Sequence, residues 1–171
     1  MRIRSEPAER HTLSVLVDDE AGILARVSGM FTARGYNIES LTVAHVSEDL
    51  SISRITIVTS GSAHEIEQIV AQLDRLVPVH RVVDLTAFGP HVERELALVK
   101  VAGTADQRIE ARRLADLYGA RIVDETRSSF VFEVTESTEK VDSFVAELEQ
   151  HGLVEVARTG VVAISRGEAA A

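Results

Sequence analysis

One pattern runs twice along this chain of 171 residues, and it limits the fold more than any other feature. The pattern is strand, helix, strand, strand, helix, strand. In the first pass, Leu13 to Val17 is a short apolar run that reads as a strand. Ile23, Leu24, Val27, Met30 and Phe31 then recur at i, i+1, i+4, i+7 and i+8, one face of a helix. Asp19 or Glu20 can cap its start, and Gly35 can stop it with a left-handed residue. Residues 38–46 and 52–59 are β-branched runs with alternation, and Ser47-Glu48-Asp49 marks the hairpin loop between them. Ser62 with Glu65 is a capping box opening a helix with Ile66, Ile69, Val70 and Leu73 on one face. Pro78 ends it, and Val79 to Leu85 is a further strand.

The second pass repeats the order. Leu96 to Val101 reads as a strand, and Asp106 can cap a helix with Ala111, Leu114, Ala115 and Tyr118, stopped by Gly119. Arg121 to Thr126 and Phe130 to Thr135 read as a hairpin. Ser137 or Thr138 caps a helix with Val141, Phe144, Val145 and Leu148, stopped by Gly152, and Val154 to Ile164 closes the pattern. The seam is Phe88-Gly89-Pro90-His91. The expected fold class is α+β, two tandem ferredoxin-like βαββαβ sandwiches. They occupy residues 11–88 and 89–166, with polar tails at 1–10 and 167–171. Each sheet has one face under two helices. The strands are apolar enough that the second face should also be covered, most simply by oligomerisation.

Composition removes several function classes. A formal net charge of −9 argues against a nucleic-acid or anionic-membrane surface as the main partner. A nucleic-acid-binding sandwich of this topology stacks bases on rings of its third strand, and Ile52 to Val58 carries none. The chain has no Cys, which removes disulfides, thiolate nucleophiles and Cys-based zinc sites, and fits a reducing cytoplasm. No apolar run approaches the roughly 20 residues of a membrane helix, and the first ten residues lack the apolar core of a secretory signal. The six His form no HExxH, and there is no GxSxG, P-loop or GxGxxG. Neither a metal site nor a catalytic constellation is expected.

Two turns remain as candidate sites. Asp18-Asp19-Glu20-Ala21-Gly22 leads from a strand into a helix, whose free N–H groups suit a carboxylate. Gly22 lets a ligand approach the backbone closely. Gly35-Tyr36-Asn37-Ile38 offers the Asn37 amide, both donor and acceptor, to a polar head group. Taken singly, each turn reads more simply as a capped helix start and a turn Asn.

Joined, the two turns carry a resemblance. DDEAGILARVSGMFTARGYNIESLTV, Asp18 to Val43, is similar throughout to the N-terminal ACT domain of acetolactate synthase small subunits. The same family continues in SRITIV (53–58), QLDRLVPVHRVVDL (72–85), HVERELALVKV (91–101) and RTGVVAISRG (158–167). The resemblance implies an ACT domain for the first unit and a regulatory subunit with no chemistry of its own. Its implied partner is the catalytic subunit, which uses thiamine diphosphate, Mg²⁺ and FAD and which it activates. Its implied effector is L-valine, bound between the ACT domains of a homodimer. In the family's pattern, one chain supplies Asp19, Glu20, Ala21, Gly22, Ile23 and Leu24, and the other Asn37 and Ile38. Asp19 is a departure, because some members carry Asn there, and an acid repels a carboxylate placed too close. Two alternatives stand beside this reading. One is an ACT-type sensor controlling another biosynthetic enzyme or a transcription factor. The other is a small ferredoxin-like enzyme.

Overall fold

A computed structural model describes residues 7–47 and 51–168. The chain divides into two compact units, one reaching to Val92 and resuming at Val161, the other Glu93–Gly160. The first unit has the order β1 (Glu9–Asp18), α1 (Ile23–Arg34), β2 (Ser40–Ser47), β3 (Ile52–Gly61), α2 (Ala63–Leu73) and β4 (Val79–Asp84). Its sheet order is β2-β3-β1-β4, and every neighbouring pair is antiparallel. This is the ferredoxin-like arrangement that the twofold repeat predicts.

Alternation in β1 explains the layering. Leu13, Val15 and Val17 point to one face and are fully buried. The helices meet them there with Ile23, Val27 and Phe31 from α1 and Ile66, Ile69 and Leu73 from α2. Fully burying side chains of this size stabilises by about 1.5–3 kcal/mol each, so this stripe sets the register of the unit.

The second unit repeats the plan with β5 (His91–Ala102), α4 (Ala105–Tyr118), β6 (Arg121–Glu125), β7 (Ser129–Glu136), α5 (Thr138–Leu148) and β8 (Leu153–Arg158). Between β4 and β5 lies a single turn, α3 (Leu85–Phe88), which begins on the residue where the sequence predicts the end of a strand. The Asp84 carboxylate makes this turn by accepting the N–H groups of Thr86 and Ala87. The sheet order is β6-β7-β5-β8. Rings enter this core, with Phe132 and Phe144 fully buried and packed edge to face at 6.2 Å between centroids.

Four local expectations change. α4 is capped by Thr104 in a full capping box with Gln107, not by Asp106. α1 starts on Gly22 without a side-chain cap, not on Asp19 or Glu20. α2 stops at Leu73, before Pro78 is reached. The run from Val154 to Ile164 is not one strand. It breaks after Arg158 and resumes as β9 (Val162–Ser165), which pairs with β5.

That break sends the chain back to the first unit. Val161 donates its N–H to Ser40 Oγ at 2.9 Å and accepts from Thr42 Oγ1 at 2.9 Å. Both partners lie on β2, on the face opposite Leu41, which packs into the core. Val161 is 2% exposed, and Ala163 packs with Val83 and Leu85. So part of the sheet's second face is covered by the chain's own later segment, where the sequence alone points to a second subunit. The expected boundary placed residues 161–166 with the second unit, and they cluster with the first.

Candidate functional site

The loop Asp18–Gly22 follows directly from β1. Three carboxylates crowd it, and each is held aside. Asp18 Oδ1 lies 2.6 Å from His80 Nε2. Asp19 Oδ1 accepts from Ser53 Oγ at 3.1 Å, and its Oδ2 lies 3.4 Å from His45 Nε2. Glu20 Oε1 accepts from Arg26 Nη1 at 2.8 Å. The backbone is pinned as well, with Asp18 N–H donating to Pro78 O at 2.8 Å and Asp19 N–H to Ser51 O at 2.7 Å.

Those contacts explain why no acid caps α1. Of the side chains that the sequence offers as caps, Asp19 points instead to Ser53 and His45, and Glu20 to Arg26. Gly22 takes the N-cap position at φ 90°, ψ −1°, a left-handed conformation that glycine adopts freely. The Ile23 N–H goes to Glu20 O at 3.3 Å. The N–H groups of Gly22, Leu24 and Ala25 have no partner among the described residues. A Cβ built on Gly22 would meet nothing within 4 Å. The result is an open helix N-terminus with its own acids turned away, a geometry that suits a small carboxylate.

The residues expected at this site fall into two groups. Asp19, Glu20, Ala21, Gly22 and Leu24 are exposed around the loop. Ile23 is 5% exposed and its side chain belongs to the core. Its place in the helix stripe already implied this. Asn37 is exposed at the other end of α1, and its carbonyl accepts from Thr59 Oγ1 at 2.6 Å. Its side-chain amide has no partner among the described residues. Ile38 packs partly against the same core.

Within one chain the loop and Asn37 do not meet. The 12 residues of α1 lie between them, about 18 Å at 1.5 Å per residue. An amino-acid zwitterion is far shorter, so a site using both ends needs each from a different chain. Sequence reasoning missed His45, Ser53, His80 and Arg26 as the groups that orient the loop acids. No spacing signal links Ser53, His45 or His80 to the loop, and Arg26, six positions from Glu20, falls outside the i+3 and i+4 spacing of helix pairs.

Comparison with known proteins decides the family. Residues 13–81 match the model of the AHAS small subunit-like ACT domain, and residues 94–167 that of the small subunit of acetolactate synthase. The chain is 44% identical over 160 residues to the acetolactate synthase small subunit of Haemophilus influenzae, covering 93% of this chain and 97% of that one. It is 45% identical over 160 residues to the acetolactate synthase isozyme 3 small subunit of Escherichia coli, with 93% and 97% covered. The chain belongs to the acetolactate synthase small subunit family. The crystal structure of the small subunit from Thermotoga maritima shares its fold, with a TM-score of 0.83 and 36% identity over 94% of this chain and 99% of that one.

The family's C-terminal block runs to residue 167, through β9. In this small subunit, then, the block extends past the second compact unit and includes the segment that returns to the ACT unit.

Proposed function

We propose that this chain is the regulatory subunit of acetolactate synthase in the cytoplasm. It binds the catalytic subunit, raises its activity and makes it sensitive to valine. The observation that carries the reading is the near full-length match to small subunits, whose name pairs them with a larger partner. The uncapped start of α1 supports the effector role. In this reading, the N–H groups of Gly22, Leu24 and Ala25 hold the effector carboxylate. Asn37 of a second chain takes the ammonium, and Leu24 and Ile38 bound an apolar space for the side chain. A site shared by two chains favours one arrangement of the dimer, so the effector biases a two-state element. Thiamine diphosphate, Mg²⁺ and FAD belong to the catalytic subunit, and this chain supplies no catalytic group.

The test is acetolactate formation from pyruvate by the purified catalytic subunit, with and without this chain and valine. The chain alone is expected to be inactive, to activate the catalytic subunit, and to confer inhibition by valine. Pyruvate turnover by the chain alone, or a catalytic subunit indifferent to it, overturns the reading. A chain that binds valine yet ignores the catalytic subunit is instead a sensor for another target.

A further inference from the structure

The Asp19 carboxylate has two places to go. An Asp in a turn readily accepts from backbone N–H groups two or three residues on, which from position 19 reaches the N–H of Gly22. That N–H has no partner among the described residues. The structure puts the carboxylate in the other place, with Oδ1 accepting from Ser53 Oγ at 3.1 Å and Oδ2 at 3.4 Å from His45 Nε2. His45 is exposed, but Ser53 is only 1% exposed. Ser53 lies opposite Val17 in the β1–β3 register, so it shares the core-facing row of β3 with Ile55 and Ile57. A hydroxyl buried in such a row needs a partner, and its partner is Asp19. The Asp19 backbone is fixed by its N–H donating to Ser51 O at 2.7 Å, so a swing between the two places is a side-chain rotation that leaves the loop in position.

We propose that Asp19 is a tethered competitor for the effector's carboxylate, and that Ser53 sets the affinity of the site by holding it away. The proposal rests on the effector reading and concerns the regulation of that same site. A carboxylate three residues from Gly22 is present at high local concentration whatever the effector level. While it occupies the Gly22 N–H, the effector loses a donor and meets a like charge at the start of α1. Apparent affinity therefore falls with the fraction of time that Asp19 spends there, and the bond to Ser53 keeps that fraction low. Glu20 follows the same logic, with Arg26 as its hold at 2.8 Å. Both of those side chains are about half exposed, which makes theirs the weaker hold. Ser53 is thus a positioning residue, acting on the effector only through Asp19.

A double-mutant cycle on the whole chain tests this, read by calorimetric titration with L-valine. Ser53→Ala is expected to weaken binding about three- to tenfold, the population shift that follows the loss of one hydrogen bond. Asp19→Ala should bind at least as tightly as wild type. Ser53→Ala/Asp19→Ala should match Asp19→Ala, because Ser53 then has nothing to hold. Circular dichroism checks the fold of each variant. Should Ser53→Ala not fold, His45→Ala takes its place in the same cycle, with an expected effect of about twofold. Weaker binding by Asp19→Ala alone makes Asp19 a ligand of the effector and overturns the proposal. A loss at Ser53 or His45 that persists without Asp19 marks a purely structural role and also overturns it. So does wild-type affinity in the variant that frees Asp19. All three results leave the effector reading standing. A wild-type chain that does not bind L-valine removes that reading and the competitor with it.

Discussion

The two units share a fold but treat the loop after their first strand in opposite ways. In the second unit, Thr104 Oγ1 accepts the Gln107 N–H at 3.3 Å, and Gln107 Oε1 accepts the Thr104 N–H at 3.0 Å. That helix start satisfies itself. A Cβ on Gly103 would come within 2.4 Å of Gln107 Oε1, so the side chain fills the space over the backbone. In the first unit the equivalent start has no side-chain cap, and the space over Gly22 is empty. Closing a cap contributes about 1 kcal/mol to stability. In the proposed reading, a ligand completes the hydrogen bonds that the chain leaves open in one of these two copies of the same fold.

The largest expected effect breaks that difference from the open side. Gly22→Asp supplies a carboxylate where the effector's own should sit. Losing two charge-assisted hydrogen bonds at about 1.5–3 kcal/mol each weakens valine binding by roughly two to four orders of magnitude. Because Gly22 has φ 90°, a side chain there also costs about 1–2 kcal/mol of stability, less for Asp, which tolerates this region. Gly22→Ala isolates the strain. Calorimetric titration of both variants should show valine binding lost in Asp and largely kept in Ala. Equal loss in both makes Gly22 a structural glycine.

The second effect concerns the sheets. Removing the chain from Val161 onward uncovers the second face of the first sheet and strips hydrogen bonds from Ser40 and Thr42. One buried Val side chain and two hydrogen bonds together amount to about 3 kcal/mol. Thermal melts should show the first unit losing more stability than the second, which loses only the pairing of β9 with β5. A chain cut after Phe88 suffers the same loss, so it is a poor test of what the ACT unit does alone. Coincident melting of intact and shortened chains contradicts the covering role.

A smaller change sharpens the comparison from the closed side. Thr104→Ala should cost about 1 kcal/mol, by chemical denaturation, and leave valine affinity as it was. Any loss of valine binding in this variant places part of the effector site in the second unit.

The smallest effect is shared by both units. Hydrogen bonds from Ser62, backbone and hydroxyl, hold Glu65 below its usual 4.5, and the Lys140 ammonium does the same for Glu136. Folded pKa values below the unfolded ones give stability that is complete above the unfolded value and is lost as pH falls through the folded value. Below about pH 4.5 both units should therefore weaken, and a denaturation series across that range should show it. Glu65→Gln should remove that share of the acid sensitivity from the first unit only.

Much of this was legible in the sequence because it is local. The Ile23-Val27-Phe31 stripe, the Ser62–Glu65 box and the glycines that end α1 and α4 depend on neighbours within a few positions. The Asp18–Gly22 loop and Asn37 were legible as candidate positions for the same reason. What was not legible depends on distant partners. Asp19 reads as a helix cap until Ser53, 34 positions away, takes its carboxylate. The break after Arg158 looks like an ordinary glycine in a β-branched run, since nothing local announces that Ser40 and Thr42 will receive Val161.

The returning segment has a consequence for how the protein is made. Ribosomes deliver the first unit first, yet the strand that covers its sheet is delivered only after the 68 residues of Glu93–Gly160. At about 5–20 residues per second, that is a wait on the order of 3–14 seconds with part of a β-sheet face bare. The unit that carries the proposed effector site is begun first and finished last. A chain abandoned during synthesis then leaves that incomplete sheet face open to chaperones and proteases.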